Sequence, residues 1–362
     1  MNTKFKAESL FKGIATVIFL MGYSFVSNSL AGIQPSFDLE RLAWQASNMA
    51  VVTEDTKVFG KCIVIEAWKG GLKPGDPVIV PELVAFASVD RRAIHRWPSE
   101  AGTNLPTHVS GSRAILFLRK TASGSWEFAD KFGGVETSVA WIEQSQAYGF
   151  VQEMNPGPSL LVPLHLSESE MKARALDVVQ TQEAITNTTT ITDLSQRAVA
   201  LKLLTSPKHF FARISAFDEL GKCGEAALPV LRGMLNDQSL LAQHGDVIGA
   251  LTQAGGSSVA AELTKIVETE TQFWNQAAPG LKQGWWNGSG FQWPAEYSKV
   301  EFLRNRYVKL YAALGALDGL KYNDCKTAVT QLRDVWRSHP QLEQIGLGQM
   351  SQKCDGLLKE LH

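Results

Sequence analysis

The chain has 362 residues, of which 44% are hydrophobic and 20% are charged, and its formal net charge is −1. This composition is ordinary for a globular protein, and the length predicts about two domains. A near-neutral chain without a basic stripe does not fit a nucleic-acid-binding protein, so no nucleic-acid partner is expected.

Residues 1–31 have the three parts of a secretory signal. Lysines give a basic start, residues 14–26 form an apolar run, and small residues end the segment at Ser29-Leu30-Ala31. We therefore predict cleavage after about Ala31 and a periplasmic or secreted protein. The alternative is an uncleaved anchor, but the run is short for a transmembrane helix of roughly 20 apolar residues. No later segment is apolar enough, so the cleaved chain is not expected to span a membrane.

Residues 32–165 are predicted to form a β domain. Short apolar runs alternate with Gly, Pro, Asn and Asp clusters, which is typical of a small antiparallel barrel or sandwich. The predicted strands lie within residues 58–68, 77–80, 114–118, 125–129, 137–142, 147–152 and 159–164. A helix over about residues 38–49 is expected to precede them and to plug or flank the barrel.

Part of this region resembles the OB-like barrel of netrin/TIMP-type modules. The resemblance rests on the run from Cys62 to Trp68, the turn Lys73-Pro74-Gly75-Asp76 and the later run 114–118. It implies a small antiparallel β-barrel. In inhibitors of that family an N-terminal cysteine chelates the zinc of the protease. Here the predicted mature chain starts at Gly32 and its first cysteine is Cys62. The resemblance therefore implies the barrel fold but not inhibition of a metalloprotease by a terminal cysteine.

A basic cluster lies in residues 85–111, the least regular part of the β domain. Its candidate anion-binding residues are Arg91, Arg92, His95 and Arg96, followed by an aromatic residue, Trp97. Such a cluster suits an acidic polymer or a phosphate group. The alternative is a solvated loop whose charges bind nothing.

Residues 166–362 have a helical pattern throughout. Ser167 precedes Glu170 by three residues, a capping box that predicts the start of a helix. Two later segments look like copies of one helix-turn-helix unit with an offset of 34 residues, a period that indicates stacked helical repeats. The matching pairs are Ala216 and Ala250, Gly221 and Gly255, and Ala226 and Ala260. Neighbouring helices are predicted over 194–204, 295–314, 324–336 and 348–361.

The two copies, residues 216–231 and 250–263, resemble HEAT-type repeats of the armadillo-like class. The small residue before Leu-Gly, the glycine turn and an Ala-Leu-Pro-x-Leu run carry the resemblance. In the second copy Glu262 replaces an apolar residue and no proline follows. The resemblance implies a curved, non-enzymatic binding scaffold. The expected architecture is thus a multidomain β + α chain, an OB-like antiparallel β-barrel followed by a short HEAT-like α-solenoid of about four helix pairs.

Residues 273–297 are predicted to interrupt the repeats as a tryptophan-rich insertion. Tryptophan has a flat apolar face and one N–H, which suit a sugar ring or a protein hot spot. The alternative is that the insertion caps the core of the repeats, because burial of each indole contributes roughly 2–3 kcal/mol. The candidate ligand-binding residues are Trp274, Trp285, Trp286, Trp293 and Tyr297.

Export would place the four cysteines in an oxidising compartment. Cys325 and Cys354 fall in consecutive predicted helices, and antiparallel packing would bring them together, so they are the candidate disulfide. Cys62 and Cys223 lie in different predicted domains, and either an inter-domain bridge or two separate thiols fits. In a chain that is not exported, all four are expected to be reduced and buried.

The sequence contains no specific catalytic motif. It has no nucleophile elbow, no zinc-protease helix motif and no phosphate-binding loop, and its histidines are scattered. No metal site and no cofactor are therefore predicted. We expect an exported, non-catalytic protein-binding or scaffolding protein with an extracytoplasmic protein partner. The first alternative is a glycan- or cell-wall-binding protein that uses the tryptophan-rich insertion, and the second is a hydrolase with a dispersed site.

Overall fold

The computed structural model describes residues 37–55, 58, 61–80, 113–130, 138–143, 145–153, 160–205, 208–281, 297–343 and 349–361. The chain divides into two compact units, Met1–Glu183 and Ala184–His362. The first contains an antiparallel sheet and the second is built of helices, which confirms the predicted order of a β part followed by an α part. The predicted signal, residues 1–31, lies outside the described residues.

The first unit contains a short helix, α1, and an antiparallel sheet of eight strands. Their bounds are α1 Leu39–Gln45, β1 Asn48–Glu54, β2 Lys61–Lys69, β3 Pro77–Ile79, β4 Arg113–Lys120, β5 Trp126–Phe128, β6 Val139–Glu143, β7 Gln146–Glu153 and β8 Leu160–Ser167. The strand order is β3-β2-β1-β4-β6-β7-β8, with β5 paired to β4. Over the described residues β3 and β8 are the two ends of the sheet, so the pairing does not close a barrel.

Strand β1 lies in the middle of the sheet. The sequence had predicted that its first two residues, 48 and 49, form the end of a helix. The helix does begin at Asp38, whose side chain accepts a hydrogen bond from the Arg41 backbone N–H at 3.0 Å, but it ends at Gln45. Residues 49–52 are all buried, because β1 pairs with β2 on one side and β4 on the other. A strand buried on both faces has no alternating pattern, which is why it was missed.

Both faces of the sheet carry buried apolar side chains. On one face, Phe117 of β4 belongs to a cluster with Leu42 of α1 and Met171 of the next helix, α2 (Glu168–Thr188). On the other face, the neighbouring residue Leu116 belongs to a second cluster with Trp141 of β6. Successive side chains of a strand point to opposite faces, so β4 is a continuous apolar run.

Helix α2 begins as the sequence predicted. The Ser167 hydroxyl oxygen accepts a hydrogen bond from the Glu170 backbone N–H at 3.1 Å, which confirms the helix cap. The division between the two compact units falls within this helix, after Glu183. The first part of α2 packs on the sheet through Met171, Ala175 and Val178, so it belongs with the β unit.

The second unit contains nine further helices in its described part. Their bounds are α3 Leu194–Lys202, α4 Phe210–Lys222, α5 Leu228–Asn236, α6 His244–Gly255, α7 Ala260–Ala277, α8 Tyr297–Leu320, α9 Lys326–Ser338, α10 Pro340–Glu343 and α11 Gln349–Glu360. The helices predicted over 194–204, 295–314, 324–336 and 348–361 are confirmed within a few residues, except that α8 continues to Leu320. Among the helices that the structure describes, none is both long and apolar enough to cross a membrane.

The helices of the second unit contact helices that are close to them along the chain. The contacting pairs are α3 with α4, α5 with α6, α7 with α8, and α9 with α11. Helices of neighbouring pairs also touch, since α4 contacts α6, α6 contacts α8, and α8 contacts α11. Each helix between the ends is therefore covered on more than one side by other helices.

The two predicted repeats are α4–α5 and α6–α7, each joined by a short 3₁₀ turn. The first helices are offset by 34 residues, as expected, but the turns and second helices are offset by 32. Gly224 and Gly256 open the two turns with φ values of +60° and +53°. The pairing of Ala226 with Ala260 was therefore wrong by two residues, because α6 is one residue shorter than α4 and has no counterpart of Cys223 before its turn.

The predicted Cys325–Cys354 disulfide is not present in the structure, where both are free thiols. Helices α9 and α11 do pack together, but Asp355 pairs with Arg333 and Arg337 of α9, at 3.9 and 2.8 Å. Asp355, which follows Cys354, therefore faces residues of α9 that lie eight or more positions beyond Cys325, about 12 Å along the helix. Disulfide-bonded cysteines need Cα atoms within about 7 Å of each other.

All four cysteines are buried free thiols. Burial raises the pKa of Cys62 to about 12 and that of Cys354 to about 12. Burial also raises the pKa of Cys223 and of Cys325 above the ordinary value. Because the thiolate is the reactive form, these thiols are poor nucleophiles at neutral pH.

Candidate binding surface

Trp274 is a core residue, which corrects its prediction as a ligand-binding residue. Its side chain is fully buried on α7, with its ring edge-on to Trp336 of α9 at a centroid distance of 5.4 Å. Trp336 in turn lies 6.5 Å from the ring of Tyr307 on α8. These three rings fill the space between α7, α8 and α9, so Trp274 is not accessible to a ligand.

The other predicted site residues lie largely outside the described part of the chain. Among the candidate ligand-binding residues, Tyr297 is the first residue of α8, and its side chain is not described. The predicted residues outside the described ranges are Trp285, Trp286, Trp293, Arg91, Arg92, His95 and Arg96. Their predicted roles remain predictions.

The residue before Trp274 belongs to a different, partly exposed group. Phe273 lies under the guanidinium group of Arg306, whose central carbon is 3.6 Å from the ring centroid. The ring of Phe302 lies 6.0 Å from that of Phe273 and 5.6 Å from the same guanidinium carbon. Phe302 is 43% exposed. We call Phe273, Phe302 and Arg306 the aromatic–arginine surface.

Helix geometry explains how these side chains meet. Phe302 and Arg306 are four residues apart on α8, so they lie on the same helix face. Helix α7 packs along α8 and places Phe273 beneath that pair. A guanidinium group over an aromatic face is attracted by the ring electrons and contributes about 0.5–2 kcal/mol, more when the pair is desolvated.

A buried carboxylate holds Arg306 in this position. Glu270 of α7 is fully buried, and its Oε2 atom lies 2.9 Å from Nη2 of Arg306. Its other oxygen lies 3.2 Å from Nζ of Lys309, one turn further along α8. Neither oxygen accepts a well-directed hydrogen bond, so the attraction is mainly between charges. The two cations leave the cluster with one net positive charge.

His244, at the start of α6, lies near the same lysine. It is fully buried, and its Nε2 atom donates to the backbone carbonyl of Asp237 at 3.0 Å. Burial lowers the pKa of His244 below its ordinary value, and the Lys309 ammonium group acts in the same direction. The imidazole is therefore neutral at neutral pH and adds no charge to the cluster.

The arrangement suits binding through stacking and contact with a fixed cation. Glu270 holds the guanidinium group of Arg306, so little freedom of that side chain is lost when a partner docks. Helix α7 ends at Ala277 and α8 begins at Tyr297, so the tryptophan-rich insertion joins the two helices that carry the surface. No cluster of three or more His, Cys, Asp or Glu side chains suited to a metal occurs in the described ranges.

One signal in the sequence could have revealed this cluster. On α7 the buried residues Leu263, Val267, Glu270 and Trp274 follow one another at spacings of three and four. Glu270 is therefore a charged residue on an otherwise apolar helix face. A buried carboxylate needs nearby cations, and a search for them would have pointed to α8.

Compared with known proteins, the chain matches no family model, no curated protein and no solved structure.

Proposed function

We propose that this protein is a non-catalytic binding protein that uses its helical unit to hold a protein partner outside the cytoplasm. The observation that carries the proposal is the aromatic–arginine surface, in which a partly exposed Phe302 adjoins an Arg306 fixed by a fully buried Glu270. Aromatic residues and arginine are enriched at the energetic centres of protein interfaces.

The fold proposed with this function is a partly open, OB-like barrel followed along the chain by a short α-solenoid of the HEAT type. The first helices of the two predicted repeats, α4 and α6, contact each other, and α6 also contacts α8, as is expected of stacked repeats. Buried clusters on both faces of the β-sheet are expected if the sheet curls around one of them. Stacked repeats generally serve as binding surfaces, which agrees with the proposed role.

The proposed compartment rests on residues 1–31, whose basic start, apolar run and small residues are the pattern of a cleaved signal. Mass spectrometry of the chain recovered from the expressing cells tests it. We expect an N-terminus near Gly32. A recovered chain that still begins at Met1 would contradict export by cleavage.

The binding role can be tested by using the purified chain as bait in a cell-envelope extract. We expect a specific protein to be retained by the wild-type chain and about 10-fold less by Phe302→Ala, because removal of a hot-spot ring costs at least about 1.4 kcal/mol. Phe302 is partly exposed, so its removal leaves the buried core intact.

The matched control is Ile79→Ala, which removes an exposed apolar side chain from β3. It should retain the partner as well as the wild-type chain does. Equal retention by all three baits would exclude the aromatic–arginine surface as the binding site. Turnover of a substrate by the purified chain would contradict the non-catalytic role.

The second candidate function is glycan or cell-wall binding through the same region. The exposed ring of Phe302 and the tryptophans of the adjoining insertion are residue types on which sugar rings stack. Titration with soluble cell-wall fragments, followed by tryptophan fluorescence, tests this function. A saturable shift that disappears in Trp285→Ala supports it, whereas an unchanged spectrum excludes glycan binding at the insertion.

A further inference from the structure

The aromatic–arginine surface adjoins a group of buried charges that do not cancel. The Glu270 carboxylate faces two cations, the guanidinium group of Arg306 at 2.9 Å and the ammonium group of Lys309 at 3.2 Å. The side chains of these two cations are only 14% and 13% exposed. Burial lowers the pKa of His244, so this residue adds no charge at neutral pH. The group therefore has one excess positive charge, which dissolved salt screens little because the group is mostly buried.

The other charges of α7 and α8 do not offset this excess. Glu262 and Asp318 form ion pairs with Arg232 and Lys353, which belong to other helices. The exposed charged side chains that the structure describes on α7 and α8 are two of each sign. They are Lys265 and Glu268 on α7, and Glu301 and Arg304 on α8. The local charge around the aromatic–arginine surface is therefore positive.

Arg306 also lacks a full set of acceptors. Its Nη2 atom faces Glu270, whereas its Nε atom is buried and has no hydrogen-bond partner in the described part of the chain. The guanidinium carbon lies 3.6 Å from the centroid of the Phe273 ring, which accepts no strong hydrogen bond. A desolvated cation of this kind is stabilised by an added carboxylate more than a hydrated cation is.

An exposed apolar ring lies beside this cation. Phe302 is 43% exposed, and its centroid is 5.6 Å from the guanidinium carbon of Arg306. A ligand that covers the ring is therefore brought next to the positive charge. A basic ligand would add a like charge there, and a neutral ligand would cover the cation without compensating it. The pair fits an apolar side chain that is followed closely by a carboxylate.

We propose that the partner docks an acidic segment on the aromatic–arginine surface. A Leu or Phe side chain of the segment covers Phe302, and a neighbouring Glu or Asp carboxylate lies beside Arg306. This inference rests on the proposed function and specifies the chemistry of the protein partner. Lys309 is mostly buried, so it favours the acidic segment through its charge and not through contact.

Binding of three synthetic peptides to the purified full chain, followed by fluorescence polarisation, tests the proposal. Each peptide has about 12 residues, carries an uncharged dye and contains the unit x-Phe-x-Leu-x in a Gly- and Ser-rich sequence. The residue x is Glu in the first peptide, Gln in the second and Lys in the third. We expect the Glu peptide to bind at least about 5-fold more tightly than the Gln peptide, and the Lys peptide to bind most weakly. The formal net charge of the chain is −1, so attraction to the chain as a whole would not favour the Glu peptide.

Lys309→Gln separates the excess charge from the exposed groups. It makes the buried group neutral and leaves Phe302 and Arg306 in place, so the preference for the Glu peptide should fall below about 2-fold. The matched control is Lys265→Gln, which removes an exposed cation from α7 and should keep the preference. Thermal unfolding shows whether each variant is folded, and the comparison of the three peptides on the wild-type chain needs no variant.

Several results would overturn the proposal. These are equal binding of the Glu and Gln peptides, tightest binding of the Lys peptide, or no binding of any peptide at concentrations up to about 1 mM. A preference for the Glu peptide that persists in folded Lys309→Gln would also overturn it. The proposed function fails separately, because a protein partner that is lost from the Phe302→Ala bait supports that function whichever peptide binds best.

Discussion

The fixed position of Arg306 depends on a single buried side chain, Glu270, which faces both Arg306 and Lys309. Burial of a charge is unfavourable, and the attraction within a well-formed cluster offsets that cost only while every member is present. The cluster is therefore a weak source of net stability but a strong constraint on how α7 and α8 pair. That constraint is what holds the guanidinium group over Phe273.

Removal of the Glu270 carboxylate should destabilise the helical unit strongly. We expect Glu270→Ala to lower the free energy of unfolding by about 3–5 kcal/mol, because two buried cations lose their counter-ion. The measurement is chemical unfolding followed by circular dichroism. Glu262→Ala on the same helix is the control, since it removes a more exposed ion pair with Arg232 and should cost less than about 1 kcal/mol. Equal losses in the two variants would contradict the account of Glu270.

His244 should make stability depend on pH below neutrality. Burial lowers its pKa in the folded chain, while the unfolded chain keeps a value of about 6.5. As the pH falls below that value, the unfolded chain binds a proton that folded His244 does not, so the free energy of unfolding decreases. The decrease ends once the pH is below the folded pKa.

The matching variant is His244→Gln, whose amide can still donate to the Asp237 carbonyl but does not titrate. Unfolding measured at pH 7.5, 6.5 and 5.5 should show a larger loss of stability with falling pH in the wild-type chain than in the variant. Parallel pH profiles would mean that His244 does not titrate as inferred.

The turns that join α4 to α5 and α6 to α7, within the two predicted repeats, each begin with a glycine. Gly224 and Gly256 have positive φ values, a region that residues with a β-carbon rarely adopt. We expect Gly224→Ala to destabilise the chain by about 1–2 kcal/mol in thermal unfolding, although nothing in the structure would collide with the new β-carbon.

Gly233→Ala is the control for this prediction. Gly233 lies within α5 and has open space around its Cα, so alanine should stabilise the helix there by about 0.5–1 kcal/mol. A loss of stability in Gly233→Ala equal to that in Gly224→Ala would show that the turn conformation is not the cause.

Helices and helix caps that depend on residues close together in the sequence were predicted well. The cap at Ser167 and the order of helices after it depend on neighbouring residues, and the structure has them. Strand β1 was missed because its burial comes from β2 and β4, which are distant in sequence. The two-residue difference between the repeats was missed because it lies where the first helices end, just before the turns, and little side-chain pattern exists there.

The sequence predicted the region of the candidate site but not the residues that form it. The sequence predicted a binding surface around residues 273–297. Phe273 belongs to the aromatic–arginine surface proposed for binding, whereas Trp274 is buried. Sequence composition counts aromatic residues without showing which face of α7 they occupy. The partner residues Phe302 and Arg306 lie on the next helix, and only the packing of α7 on α8 brings them to Phe273.

At the scale of the whole molecule, a β unit is followed along the chain by a helical unit. The aromatic–arginine surface, which is proposed for a protein partner, lies on α7 and α8 of the helical unit.

The central claim is that a protein partner docks on the aromatic–arginine surface. Its most direct test is site-specific photo-crosslinking in the cells that produce the chain, with a photoreactive amino acid at position 302. We predict a single discrete adduct with an extracytoplasmic protein from position 302 and none from position 79, although Ile79 is more exposed than Phe302. The absence of any adduct from position 302, or the same adducts from both positions, would contradict the claim.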